Sequence, residues 1–270
     1  FACYYEASNG WFTDSYLTSL DLSNFDTSKV TNMRSMFEGC SKLKTLDVSS
    51  FDTSNVTNMA TMFACARFLV TSTSLVYRSA LESIKFSSKF NTSKVTTMAG
   101  MFCWLGSLKA LDLSSFDSSS LTNVNQMFQC INVSIYQLSP SVNGTISSAL
   151  KSITFGENFT LSKITNMSGM FAGLNSLEEL DLSHFDTSNV TNMEGMFAAS
   201  MGNSSFMTGS SLKSVDLSSF DTSKVTNMNA MFAGCTKLKE LDLSHFDTSN
   251  VTDMRQMFYG CTFLMSLDLS

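Results

Sequence analysis

One stretch of sequence is written eight times in this chain, and few folds can accommodate that. A clean copy reads LDLSNFDTSKVTNMRSMFEGCSKLKT, from Leu20 to Thr45. One Phe column runs through Phe25, Phe51, Phe90, Phe116, Phe159, Phe185, Phe220 and Phe246. The Phe of the Met-Phe pair recurs at Phe37, Phe63, Phe102, Phe128, Phe171, Phe197, Phe232 and Phe258. Both columns advance by 26, 39, 26, 43, 26, 35 and 26 residues. A unit this short cannot bury its apolar face alone, so a fixed period predicts units stacked on one another.

Within a unit, Leu17, Leu20 and Leu22 alternate with polar residues, as in a short strand with one face inward. The same pattern recurs at 43–48, 81–86, 108–113, 150–155, 177–182, 212–217, 238–243 and 264–269. Asp26-Thr27-Ser28 then supplies turn residues. Asn32 fits an N-cap for a short helix from Met33 to about Glu38, with Met33, Met36 and Phe37 on one face and Gly39 as its stop. A helix starting earlier, capped by Thr27 or Ser28, fits the pattern as well. The pattern predicts an α/β solenoid: a right-handed, leucine-rich-repeat-like stack of about eight coils, with one parallel β-sheet and short helices opposite. Residues 1–16 read as a flank or the end of a preceding coil, and 17–270 as a single domain.

The chain has 18 Met, and most fall in two inward columns, so periodicity assigns them to core rather than to a thioether metal site. Val124 takes the place of Met in one copy, which a core tolerates and a ligand set does not. Net charge is -6 with basic residues scattered, so the basic stripe of a nucleic-acid groove is missing. No run of 18 apolar residues is present to span a membrane. The chain opens without Met and stops inside a repeat, as expected of a segment of a longer protein. Seven Cys, an odd number, leave at least one unpaired within a monomer. Their shared slot reads as inward and apolar, which favours free buried thiols. A disulfide involving Cys3 or an insertion cysteine is the other reading.

Three insertions break the period, at roughly 64–80, 129–149 and 198–211. They follow copies two, four and six, so they emerge on one edge. A second signal has the same two-copy period: Lys29, Lys94, Lys163 and Lys224 alternate with Asn55, Ser120, Asn189 and Asn250. The ancestral unit is thus a doublet. Insertions gathered on one edge are candidates for a binding face. They carry Arg67, Phe68, Tyr77, Arg78, Tyr136, Pro140, Phe206 and Met207, residue types enriched at protein interfaces. Asn143 and Asn203 are the sequons best placed for a glycan.

Asp forms two columns, one on the strand and one at the turn. For the turn column, represented by Asp26, Asp52, Asp221 and Asp247, Asx-type turn bonding and a calcium site are both open readings. The calcium reading is weakened because the G-G-x-G-x-D repeat is absent. His184 and His245 share a slot with Asn24 and Ser50, and no triad, zincin or phosphate-loop motif is present. The expectation is that the chain is not an enzyme.

The unit L-x-x-L-D-L-S-x-F-D-T-S-x-V-T-N-M-x-x-M-F-x-G-C, matched nearly throughout in Leu43–Cys65 and Leu238–Cys261, resembles the BspA-type leucine-rich repeat. The variant is the one known as the DUF285, or mycoplasma lipoprotein, repeat. The resemblance covers Leu17 to Ser270. It implies an extracellular or cell-surface protein used in adhesion to host proteins or other cells, and it carries no catalytic residues. The expected function is therefore a secreted or surface binding module for a protein or glycan partner. A structural subunit stacking end to end into a filament or coat is the alternative. A third is a surface that binds ice or polysaccharide through the Thr31 column.

Overall fold

The computed structural model describes residues 16–65, 79–130, 148–199 and 209–269, together with a short antiparallel strand pair near the N-terminus. That pair joins β1 (Tyr5–Glu6) to β2 (Trp11–Phe12).

The segment read as a helix is not one. The residue two places after the first Met has positive φ in every copy. Ser35, Thr61, Gln126, Ala230 and Gln256 lie at φ 53–59°, and Gly100, Gly169 and Gly195 at 58–62°. A right-handed helix cannot pass through a left-handed residue. The backbone instead bonds alternately inward and outward. The N–H groups of Met33, Ser35, Phe37 and Gly39 donate to the carbonyls of Asn58, Ala60, Met62 and Ala64 in the next copy, at 2.8–3.0 Å. Those of Met36, Glu38 and Cys40 close tight turns onto Met33, Ser35 and Phe37. Asn32 does accept the N–H of Arg34 at 2.9 Å, as an N-cap would, but the turn it caps never becomes a helix. No helix occurs among the described residues.

The single sheet is also overturned. β3 (Thr45–Asp47) pairs in parallel with β4 (Ser83–Lys85). β5 (Ala110–Leu113) pairs with β6 (Ser152–Phe155), and β7 (Glu240–Asp242) with β8 (Ser266–Asp268). Residues 17–22, 177–182 and 212–217, expected as strands, are extended but unladdered. The expected α/β solenoid, with one continuous sheet faced by helices, is therefore not the fold of this chain. Two of the breaks coincide with larger side chains. Phe86 and Phe155 stand where other copies have Leu or Val, and each reaches into the following copy. Their rings meet Phe116 and Phe185 edge-on at 5.1 Å. The extra bulk of a phenyl has to be accommodated between copies just after β4 and after β6.

Order along the chain comes from the opposite edge and from the core. Parallel bridges link Asn32 to Asn58, Asn58 to Thr97 and Thr97 to Asn123. They resume from Asn166 through Asn192 and Asn227 to Asp253. Inside, the eight Phe rings from Phe37 to Phe258 form an unbroken series, with centroids 5.5–5.9 Å apart and planes within 12° of parallel. Such offset stacks add to the burial of large apolar rings. Both Met columns are core, as the periodicity required: Met59, Met98, Met62, Met101 and Val124 have no exposed surface. The end copies differ, with Phe25 and Met254 more than 40% exposed.

Candidate functional site

The outward strand face is where the fold leaves room. Leu177, Leu180 and Leu182 point into the core, which turns Glu179 and Asp181 outward. In the next copy Leu212 and Leu217 do the same for Ser214 and Asp216. The two segments stay together through the Lys213 N–H, which donates to the Glu178 carbonyl at 2.9 Å, without forming a ladder. An open groove of about 750 Å³ lies here, lined by Lys151, Ser176, Glu178, Glu179, Asp181 and Asp216 among others. Two more enclosed cavities, one lined by Phe37, Leu43 and Phe63 and one by Phe171, Leu177 and Phe197, hold about 10 Å³ each.

The groove sits beside the roots of two insertions. The Ser176 hydroxyl donates to the Ser148 carbonyl, and the Ser211 N–H to the Asn175 carbonyl at 3.0 Å. The described residues that border two insertions, Ser148 and Ser211, are thus anchored next to it.

The Asp carboxylates on this face are shaped by local turns. Asp21, Asp47, Asp112, Asp181, Asp216 and Asp242 each accept the N–H of the Ser two residues on, at 2.9–3.0 Å. These bonds favour the charged form. They hold the Asp181 and Asp216 carboxyls below the usual carboxylate range, with Ser183 and Ser218 as the chief causes. One oxygen of each is tied to the backbone. Ion pairs then distinguish the members. Asp47 pairs with Lys85, Glu82 with Lys109, and Glu178 with Lys213. Glu179, Asp181 and Asp216 have no ion-pair partner among the described residues.

The residues singled out from sequence separate into two groups. Arg67, Phe68, Tyr77, Arg78, Tyr136, Pro140, Phe206 and Met207 lie outside the described residues, as do the sequons at Asn143 and Asn203. The four Asp of the turn column are described, and each closes an Asx turn onto Ser28, Ser54, Ser223 or Ser249 at 2.9–3.0 Å. No group of three or more potential metal ligands occurs among the described residues. His184 and His245 belong to copies six and eight, and the Nε2 of His245 meets the Leu217 carbonyl at 2.8 Å. All six described cysteines are free, and five are buried. Burial pushes the Cys130 thiol up to about 12 and the Cys235 thiol up as well.

The Lys–Asn alternation has a mechanism. The Nζ of Lys94 donates to Asn55, and that of Lys224 to Asn189, at 3.0 and 2.8 Å. Asn55 and Asn189 in turn donate to the carbonyls of Ser28 and Ser162 at 2.9 and 3.0 Å. The Asn bond thus lies within a doublet and the Lys bond joins one doublet to the next, so the alternation follows the two-copy period. In the Thr31 column, the hydroxyls of Thr57, Thr96 and Thr122 donate to the preceding Thr carbonyl at 3.0–3.2 Å.

Two features were missed from the sequence. The groove depends on a lapse in strand pairing, which no single residue announces. The other is a buried hydroxyl column, Thr27, Thr53, Thr92, Thr187 and Thr222, each at most 4% exposed. Its eightfold position was visible, but Asp-Thr-Ser reads as solvent-facing turn.

The sequence model of one family, described as "Mycoplasma protein of unknown function, DUF285", matches residues 9–80, 68–138, 137–208 and 202–269. Each match takes in two copies, the same two-copy period as the Lys–Asn alternation. No curated protein and no solved structure matches the chain.

Proposed function

We propose, for a chain that belongs to the DUF285 family and is built of its repeats, that it is a secreted or cell-surface binding module. Its outward strand face meets a protein or glycan partner, and the adjoining insertions frame the contact. The observation that supports this reading is the open groove of about 750 Å³ on that face. Small-molecule sites are enclosed and bury most of their ligand. A wide, open, polar groove on a repeat surface suits a macromolecular partner instead. The reading assigns no catalytic step.

Two measurements test it. Antibody labelling of intact cells of the producing organism should detect the chain, and detection only after permeabilisation would overturn surface display. Arrays of extracellular-matrix proteins and glycans should give a saturable partner for the intact chain. A variant with all three insertions cut to the Glu38–Lys42 length separates the two contacts: loss of capture assigns the partner to the insertions, and retention to the strand face.

A further inference from the structure

The charge on the strand face is not evenly shared. In its first five segments, 17–22 to 150–155, four acids face four lysines. Asp47 and Glu82 are held by Lys85 and Lys109 across neighbouring copies. In the last four segments the acids Glu178, Glu179, Asp181 and Asp216 are followed by Glu240, Asp242 and Asp268, against only Lys213 and Lys239. Every one of these side chains is exposed. The reversal from balanced to acidic begins at the groove, where Lys151 of the fifth segment lines the opening with Glu178, Glu179 and Asp181 of the sixth, and its charge acts on Glu178.

Three independent features therefore coincide. The ladder lapses over 177–182 and 212–217, the surface opens into a groove, and three carboxylates there lack an ion-pair partner among the described residues. Asx turns fix Asp181 and Asp216 in place, because one oxygen of each is held by the Ser183 or Ser218 N–H. Asp181 lies near enough to Asp216 for the two charges to repel, and Asp242 continues the column in the next copy. Side chains on one face of an extended peptide recur every 6–7 Å or so, near enough for long flexible basic side chains to reach such a row.

We propose that this groove binds an extended peptide segment rich in Lys or Arg, supplied by the partner protein. The peptide lies across copies five to seven and continues toward copy eight. Its charges neutralise the carboxylate row, and its main chain runs over strand segments that carry no ladder of their own. This rests on the binding-module reading and names the class of partner for it.

The test uses the whole chain and a fluorescent ten-residue peptide alternating Lys and Ser, with an alternating Glu–Ser peptide as control. Anisotropy should show saturable binding of the Lys peptide only, weakening about tenfold on raising salt from low to several hundred millimolar. The variant Glu179→Gln/Asp181→Asn/Asp216→Asn should bind about tenfold or more weakly, while Asp21→Asn/Asp112→Asn, on the balanced half, should bind as the parent does. Thermal melts confirm that both variants fold, and Asp216→Asn alone serves if the triple variant does not. Equal loss in both variants, or none in the triple, would overturn the groove assignment. Displacement by spermine at equimolar concentration would mean that charge alone is read, which overturns a peptide site. Array capture that persists without Lys-peptide binding would overturn this inference and leave the binding-module reading standing.

Discussion

The hydroxyl of Thr53 donates to the carbonyl of Asn91, 38 residues away in the next copy, at 2.7 Å, and Thr53 has no exposed surface. The same bond runs from Thr27 to Asp52, Thr92 to Asp117, Thr187 to Asp221 and Thr222 to Asp247, at 2.8–3.0 Å. A side chain thus does the work of a backbone bridge at the turn, where the strand ladder has already ended. Removing the hydroxyl takes away a bond made from a fully buried side chain. Thr53→Val keeps the shape and should cost about 1–3 kcal/mol in denaturant unfolding. Thr57→Val loses a bond of the same type on an exposed side chain and should cost well under that. Equal costs would show that burial is not what makes the Thr53 bond count.

The positive-φ slot makes an opposite pair of predictions. Gln126 is exposed and lies at φ 57°. A side-chain-bearing residue there is strained by about 1 kcal/mol, so Gln126→Gly should raise stability by about that amount. Gly100 holds the same slot at φ 61°, and an added Cβ would lie 3.2 Å from the Thr61 Cγ2. Gly100→Ala should therefore lower the melting temperature. If both changes moved stability the same way, the left-handed turn would not be the constraint.

Phe116 tests the cooperativity of the core. It is fully buried and meets Phe86 and Phe90 at 5.1 and 5.5 Å. Phe116→Ala should cost about 3–5 kcal/mol. Hydrogen exchange should quicken in the copies on both sides, because each copy's backbone donors are held by the next one. A loss below about 1 kcal/mol would show that the Phe column is not core.

Much of the interior was legible in the sequence, because burial repeats with the period. The two Phe columns and the Met columns went to the core on spacing alone. The helix reading failed at one residue. Ser35, Thr61 and Gln126 carry no mark of a left-handed turn, and only Gly100, Gly169 and Gly195 in the same column hinted at it. The sheet reading failed because the residue types look alike in every copy: Phe86 and Phe155 are larger than the Leu or Val of other copies and mark two of the breaks, while nothing marks the one between 177–182 and 212–217. The groove was illegible for a related reason: Glu179, Asp181 and Asp216 each look like ordinary solvated strand residues, and only the lapse in pairing brings them to a common opening. The turn column of Asp, by contrast, makes the Asx bonds that its residue types suggested, while the matching bonds of the strand column came only from the structure.

Acid should unfold this chain through those turns. Asp47 is lowered from 3.8 to about 2, by Ser49 first and by Lys85 second. Asp26, Asp52, Asp221 and Asp247 are lowered too, each chiefly by the Ser two residues on. A carboxylate whose folded value lies below its unfolded one adds stability that is fully present above the unfolded value and disappears as pH falls through the folded one. The melting temperature should thus be flat above pH 3.8 and fall steadily toward pH 2, the window set by Asp47. Both members of the Asp47–Lys85 pair are more than half exposed, so salt should blunt the Coulombic part and leave the turn hydrogen bonds. Asp47→Asn should flatten the acid limb slightly, since Asn still accepts the Ser49 N–H but has no charge to lose. A melting temperature that rises on acidification through this window would mean that repulsion along the carboxylate row outweighs the turns.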